Sequence, residues 1–186
     1  MEKTKVKKLI CLGLIMALLL TTFTSVPSME TNAAKKVTSN YSYSKAPTVK
    51  TGTTTVTAKP IVTYKKNGDY YSKYSWVKFK APKTGTYQFT ISNYAVKGNK
   101  KQSVFGSILL MTGKTPKTLL NVKTKGGKYY ALYMCSAAAE NVSGQVKTTT
   151  FIKKRTGTVK LKKGQIVYLE FVNRETVNFK LNIKRK

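Results

Sequence analysis

From residue 76 onward the chain alternates between apolar and polar positions. Val77, Phe79 and Ala81 are apolar while Trp76, Lys78 and Lys80 take the other register. Pro82-Lys83-Thr84-Gly85 then turns the chain, and Tyr87, Phe89 and Ile91 alternate with Gln88, Thr90 and Ser92. The pattern returns near the end, where Val177, Phe179, Leu181 and Ile183 interleave with Asn178, Lys180, Asn182 and Lys184. Successive side chains of a strand point to opposite faces, so a period of two describes a sheet with one face on a core and one toward water. Further apolar stretches at 105–111, 119–123, 129–134, 146–152, 158–161 and 165–172 are separated by turns bearing Gly, Lys and Asn. About eight short strands with turns between them predict an all-β fold, an antiparallel β-sandwich or jelly roll. No helical period competes with this beyond a short turn around 136–140. A Thr-Gly-Thr corner is expected twice, in Lys83-Thr84-Gly85-Thr86 and Arg155-Thr156-Gly157-Thr158, each opening an alternating strand.

The alternation does not reach the N-terminus. Residues 1–8 are basic and 9–20 are apolar, a run shorter than the ~20 residues a spanning helix needs. Thr31-Asn32-Ala33 then supplies the small residues that a signal peptidase reads. Residues 1–34 are therefore expected to be a removable signal peptide, and the product to be secreted, without a membrane anchor, by a Gram-positive cell. Residues 35–59 are rich in Thr, Ser and Lys. They support two readings: a flexible arm, or an edge strand built on the β-branched run Thr53-Thr54-Thr55-Val56-Thr57. The sandwich domain is placed at 60–186.

Within it, Tyr74-Ser75-Trp76-Val77-Lys78-Phe79-Lys80-Ala81-Pro82-Lys83-Thr84-Gly85-Thr86-Tyr87 resembles the opening strand pair of the bacterial pre-peptidase C-terminal domain, a β-sandwich appended to many secreted proteins. Gly106-Ser107-Ile108-Leu109-Leu110 is similar to its middle strand, and residues 157–172 and 179–183 to its closing strands. The resemblance implies a sandwich fold and an accessory, non-catalytic role. Some members in collagenases bind collagen and calcium, but this chain lacks the acidic cluster that calcium requires.

Composition narrows the chemistry. The 186 residues contain no His, which excludes His-centred triads and His-ligated zinc. Beyond the signal, Cys135 is the one remaining Cys, so no intramolecular disulfide can form, and it is expected to be a small buried hydrophobe. The carboxylates beyond residue 34 are Asp69, Glu140, Glu170 and Glu175. Asp69 follows Asn67-Gly68, which is turn chemistry, and Glu170 and Glu175 are expected to neutralise nearby lysines. Lys83-Thr84-Gly85 and Ser42-Tyr43-Ser44-Lys45 imitate elements of penicillin-binding enzymes without the Ser-Asp-Asn element that completes them. Gly113-Lys114-Thr115 imitates the end of a P-loop, with Ile108 where the first Gly must stand. No catalytic residue, metal site or cofactor is expected.

What remains is charge. The chain carries 35 Lys and Arg against 6 Asp and Glu, and 31 against 4, net +27, once residues 1–34 are removed. A small soluble domain typically carries a net charge of about 2–8 in magnitude, so an anionic partner is expected. An AT-rich genome would favour Lys over Arg but would not remove Glu. Lysine is a hydrated point charge, suited to broad, salt-sensitive attraction. Lys78, Lys80, Lys160, Lys162, Lys163, Lys180 and Lys184 project from strand faces or corners and are the expected contact surface for an anionic polymer such as teichoic acid or a glycosaminoglycan-like chain. Nucleic acid would bind non-specifically in vitro. Trp76, Tyr70, Tyr71 and Tyr74 are candidates for stacking on a sugar or base, or else fill the rim of the core. Tyr129, Tyr130 and Tyr133 could join them in lining a groove. The alternative function is an adhesin or accessory protein that recognises a host protein or glycan through such a tyrosine-rich groove.

Overall fold

The computed structural model describes residues 35–100, 102, 104–125, 127–129, 131–136 and 154–186. The expected signal peptide, the strand at 146–152, Glu140, Tyr130 and nearly all of the turn at 136–140 lie outside these described residues. In chain order the strands are β1 (Lys35–Thr38), β2 (Thr48–Val49), β3 (Gly52–Ala58), β4 (Val62–Lys66), β5 (Asp69–Lys73), β6 (Ser75–Lys80), β7 (Gly85–Val96), β8 (Val104–Met111), β9 (Val122–Thr124), β10 (Gly127–Tyr129), β11 (Ala131–Ser136), β12 (Lys154–Leu161), β13 (Ile166–Asn173) and β14 (Val177–Arg185). They form a seven-stranded sheet, β1-β3-β14-β7-β12-β9-β10, a five-stranded sheet, β11-β8-β13-β6-β2, and a separate hairpin, β4-β5.

The two large sheets pack face to face, as the alternation predicts. Val77, Phe79, Val167, Leu169 and Phe171 from the smaller sheet meet Tyr87, Phe89, Ile91, Phe179, Leu181 and Ile183 from the larger one, all at most 1% exposed. Aromatic rings lock the layers together edge to face: Phe79 lies 5.7 Å from Phe89, and Phe171 lies 5.5 Å from Phe179. The Tyr87 hydroxyl turns back to donate to the Lys83 carbonyl at 2.7 Å, which holds the corner before β7.

Four expectations change. First, residues 35–59 are neither an arm nor only an edge. β3 lies between β1 and β14 and buries Thr54, Val56 and Ala58, so among the described residues the sandwich begins at Lys35 and not at 60. Second, the sandwich is not wholly antiparallel, because β1 pairs with β3 and β2 with β6 in parallel. Third, the apolar run at 129–134 is divided, with β10 in the larger sheet and β11 in the smaller. Fourth, Gly157 is not a corner. It sits inside β12 opposite Phe89. A β-carbon there would lie 2.2 Å from Val122 and 2.9 Å from Leu132, so glycine lets these side chains close over the strand.

Candidate polyanion-binding face

The outward positions of the larger sheet follow from its register, since residues paired across strands share a face. One row runs Lys36, Thr55, Lys180, Ser92, Lys154, from β1 to β12. A second runs Lys184, Gln88, Thr158, Lys123, and Lys160 lies opposite Thr86. Strands are spaced about 4.8 Å apart, which puts Lys180 and Lys154 about 10 Å from one another across Ser92. All six lysines are exposed.

Between them, short polar side chains bond to each other. Thr90 and Thr156 hydroxyls meet at 3.1 Å, Thr57 donates to Asn178 at 2.7 Å, and Asn182 donates to Thr53 at 2.8 Å. The hydroxyl and amide bed is therefore largely self-satisfied, while the ammonium groups stand above it. The described carboxylates all lie elsewhere: Asp69 in the hairpin, Glu170 in β13 and Glu175 in the turn before β14. Where β7, β9 and β12 meet, the surface sinks into an open groove of about 700 Å³, floored by Thr156 and Thr158 and lined by Lys123, Lys125, Lys160 and Lys186. Two of the guanidinium groups are tied to backbone carbonyls, Arg155 to Tyr133 at 3.2 Å and Arg185 to Thr84 at 3.1 Å.

The expected lysine surface is thus divided. Lys160, Lys180 and Lys184 share the outer face of the larger sheet. Lys78 and Lys80 belong to β6 and face outward from the smaller sheet, on the other side of the sandwich. Lys162 and Lys163 occupy the turn between β12 and β13, where the Lys163 amide donates to the Thr84 hydroxyl at 3.0 Å. Lys36, Lys123 and Lys154 were missed. Lys36 lies within the stretch read as arm or edge strand and Lys154 beside the one read as a corner, and Lys123 lies in a strand of three residues with no alternation to assign its face.

The outer face of the smaller sheet is covered around Trp76 and Tyr168, while Lys80, Phe105 and Tyr133 on the same sheet stay exposed. Asn40 exchanges two backbone hydrogen bonds with Trp76, and the Lys78 amide donates to the Pro47 carbonyl, so residues 40–47 lie along β6. Tyr43 stacks on Tyr168 at 3.7 Å and meets Trp76 edge to face at 5.3 Å, in a second apolar cluster with Ala46 and Met111. Trp76 is 6% exposed and cannot be the stacking platform. It points away from the main core, as its register requires, but under this strap. Burial, followed by the adjacent Tyr168 hydroxyl, pushes the Tyr43 phenol up to about 12. Glu170, expected to neutralise lysines, is instead 8% exposed, paired across strands with Trp76 and Leu109. Desolvation pushes its carboxyl up to about 7.

Among the described residues, Tyr70, Tyr71, Tyr74 and Tyr133 do not line one groove. Tyr74 packs half-buried against the second cluster, Tyr133 stacks on Phe105 at 6.1 Å at the β8-β11 side of the smaller sheet, and Tyr70 and Tyr71 stand on the hairpin. No group of three His, Cys, Asp or Glu side chains comes together among the described residues, and no helix there is long and apolar enough to cross a membrane.

No protein-family model and no curated protein matches the chain. Among solved structures, the chain is similar to CorA, a surface-associated copper-binding protein of Methylomicrobium album BG8. The TM-score is 0.39 and the identity 7%, over 81% of this chain and all of that one. It is also similar to part of a cycloisomaltooligosaccharide glucanotransferase of Paenibacillus sp., with TM-score 0.30 and 12% identity, over 70% of this chain and 16% of that one.

Proposed function

We propose that the chain is a secreted, non-catalytic binding module that attaches to an anionic polymer at or outside the cell surface through the outer face of its seven-stranded sheet. This is the kind of accessory role that the resemblance to the pre-peptidase C-terminal domain implies. The observation that carries the reading is the composition of that face: Lys36, Lys123, Lys154, Lys160, Lys180 and Lys184 rise from a bed of Thr, Ser, Asn and Gln, and the described carboxylates lie elsewhere. Lysines held about 10–14 Å apart by strand spacing suit a chain of repeated negative charges better than one compact anion. Teichoic acid, a polyphosphate of the producer's own wall, is the first candidate, because a strongly cationic exported protein meets it on the way out.

Such attachment is driven by counterion release, about one ion per phosphate neutralised, so affinity falls steeply with salt. Retention of the purified chain on wall fractions, heparin, DNA and collagen across a salt series tests this. Binding to the polyanions at low ionic strength that is lost by molar salt is the expected result, and binding that survives molar salt would overturn the proposal.

A further inference from the structure

The hairpin β4-β5 stands apart from both large sheets, and all ten of its strand residues are exposed. Asn67 and Gly68 close it with φ of 51° and 90°, the doubly left-handed turn that Asn-Gly favours because its twist matches the flanking strands. An exposed two-stranded ribbon has no core of its own to justify aromatic residues. This one nevertheless carries Tyr64, Tyr70 and Tyr71, at 46%, 76% and 44% exposure.

Its register sorts the side chains. On one face the pairs are Val62 with Lys73, Tyr64 with Tyr71 and Lys66 with Asp69; on the other, Thr63 with Ser72 and Lys65 with Tyr70. Tyr64 and Tyr71 stack across the strands, 5.8 Å apart and 23° from parallel, and both stay open to solvent, with Lys73 at one end of this face and Lys66, opposite Asp69, at the other. The root of the hairpin is held. The Ile61 amide donates to the Asn173 carbonyl at 2.8 Å, and Tyr41 donates to the Pro60 carbonyl at 2.8 Å. Lys59 and Lys73 ammonium groups lie 5.3 and 5.6 Å from the Tyr41 ring. A ribbon anchored this way needs little ordering when it meets a ligand.

We infer that this hairpin face is a docking site for an acidic polysaccharide, with sugar rings packing against the exposed sides of the Tyr64–Tyr71 pair and the acidic substituents meeting Lys66 and Lys73. Two lysines against one aspartate on this face, with Lys65 on the other, set the sign of the partner. Flat aromatic rings suit the C–H face of a pyranose, and Val62 is the sole aliphatic residue of β4 and β5, which leaves no apolar wedge for a bilayer. The inference stands beside the cationic-sheet proposal and does not rest on it, because inorganic polyphosphate has charge and no rings.

The test compares the full chain with Tyr64→Ala/Tyr71→Ala and Tyr64→Phe/Tyr71→Phe variants, titrated with a heparin-derived octasaccharide, with polyphosphate and with phosphatidylglycerol vesicles. The substituted side chains are exposed, and unchanged melting confirms that the variants fold. The expected result is an octasaccharide affinity lowered about tenfold or more in the Ala variant, about 1.4 kcal/mol, and restored in the Phe variant, with polyphosphate binding unchanged. Octasaccharide affinity that is unchanged, or that falls only in step with polyphosphate, overturns the inference. Selective loss of vesicle binding assigns the hairpin to a membrane instead, and also overturns it.

Discussion

The two outer faces of the sandwich are built from strands with the same alternation and meet different fates. On the larger sheet the outward positions are mostly Thr, Ser, Asn, Gln and Lys, and apart from Thr90 those polar side chains reach water. On the smaller sheet they include Trp76, Tyr168 and Glu170, and residues 40–47 lie over them. Pointing away from the core and pointing into solvent are separate properties, and only the first follows from a period of two. One face is thus closed over its centre by the chain itself, and the other stays open.

Substitution should separate the faces most strongly at Trp76. Trp76→Ala removes a ring packed edge to face against the stacked Tyr43 and Tyr168 and is expected to cost about 3–5 kcal/mol in urea unfolding; a loss under about 1 kcal/mol would show that the strap does not seal over Trp76.

Glu170 sharpens the contrast through pH. Its folded-state value lies above the ordinary carboxyl value of 4.5, near 7, so the folded chain binds more protons than the unfolded one between those limits. Stability should be greatest below about pH 4.5, fall as pH rises toward 7 and level off above it, by at most about 3 kcal/mol. The chain has no His to blur this window. Glu170→Gln should flatten the slope and raise stability at pH 8, and a slope that persists in the variant would place its origin elsewhere.

Smaller effects follow inside the core and on the bare face. Gly157→Ala drives a methyl group toward Val122 and Leu132 and is expected to cost about 1–3 kcal/mol by overpacking, visible as a lowered midpoint in the same unfolding experiment. Lys180→Ala, on the uncovered face, should change stability by no more than about 0.5 kcal/mol.

Much of the sandwich was legible because inward positions such as Val77, Phe79, Phe179 and Leu181 are large and evenly spaced. Residues 35–59 were harder to place. Thr-rich strands advertise no core face, and their parallel partners β3 and β6 pair through contacts that no local turn announces. The hairpin carried its Asn67-Gly68 turn in plain view, but strands exposed on both faces have no alternation to reveal them. Thr156-Gly157-Thr158 reads like the corner at Thr84-Gly85-Thr86, and its real cause, the approach of Val122 and Leu132, depends on tertiary packing alone. Of the lysines, Lys160, Lys180 and Lys184 could be grouped from strand register. Lys78 and Lys80 could not be separated from them without knowing which sheet each strand joins.

The most direct measurement is the salt dependence of polyphosphate affinity in two variants of equal net charge. One carries Lys154, Lys160, Lys180 and Lys184 all replaced by Gln, and the other carries Lys45, Lys97, Lys100 and Lys117 so replaced, every one of these lysines being exposed. If the larger sheet is the contact surface, the first variant should lose roughly 3–4 units from the slope of log K against log salt, at about 0.9 per contact, while the second keeps the full slope. Equal losses in the two variants would mean that total charge, and not this face, draws the polymer, and would contradict the account.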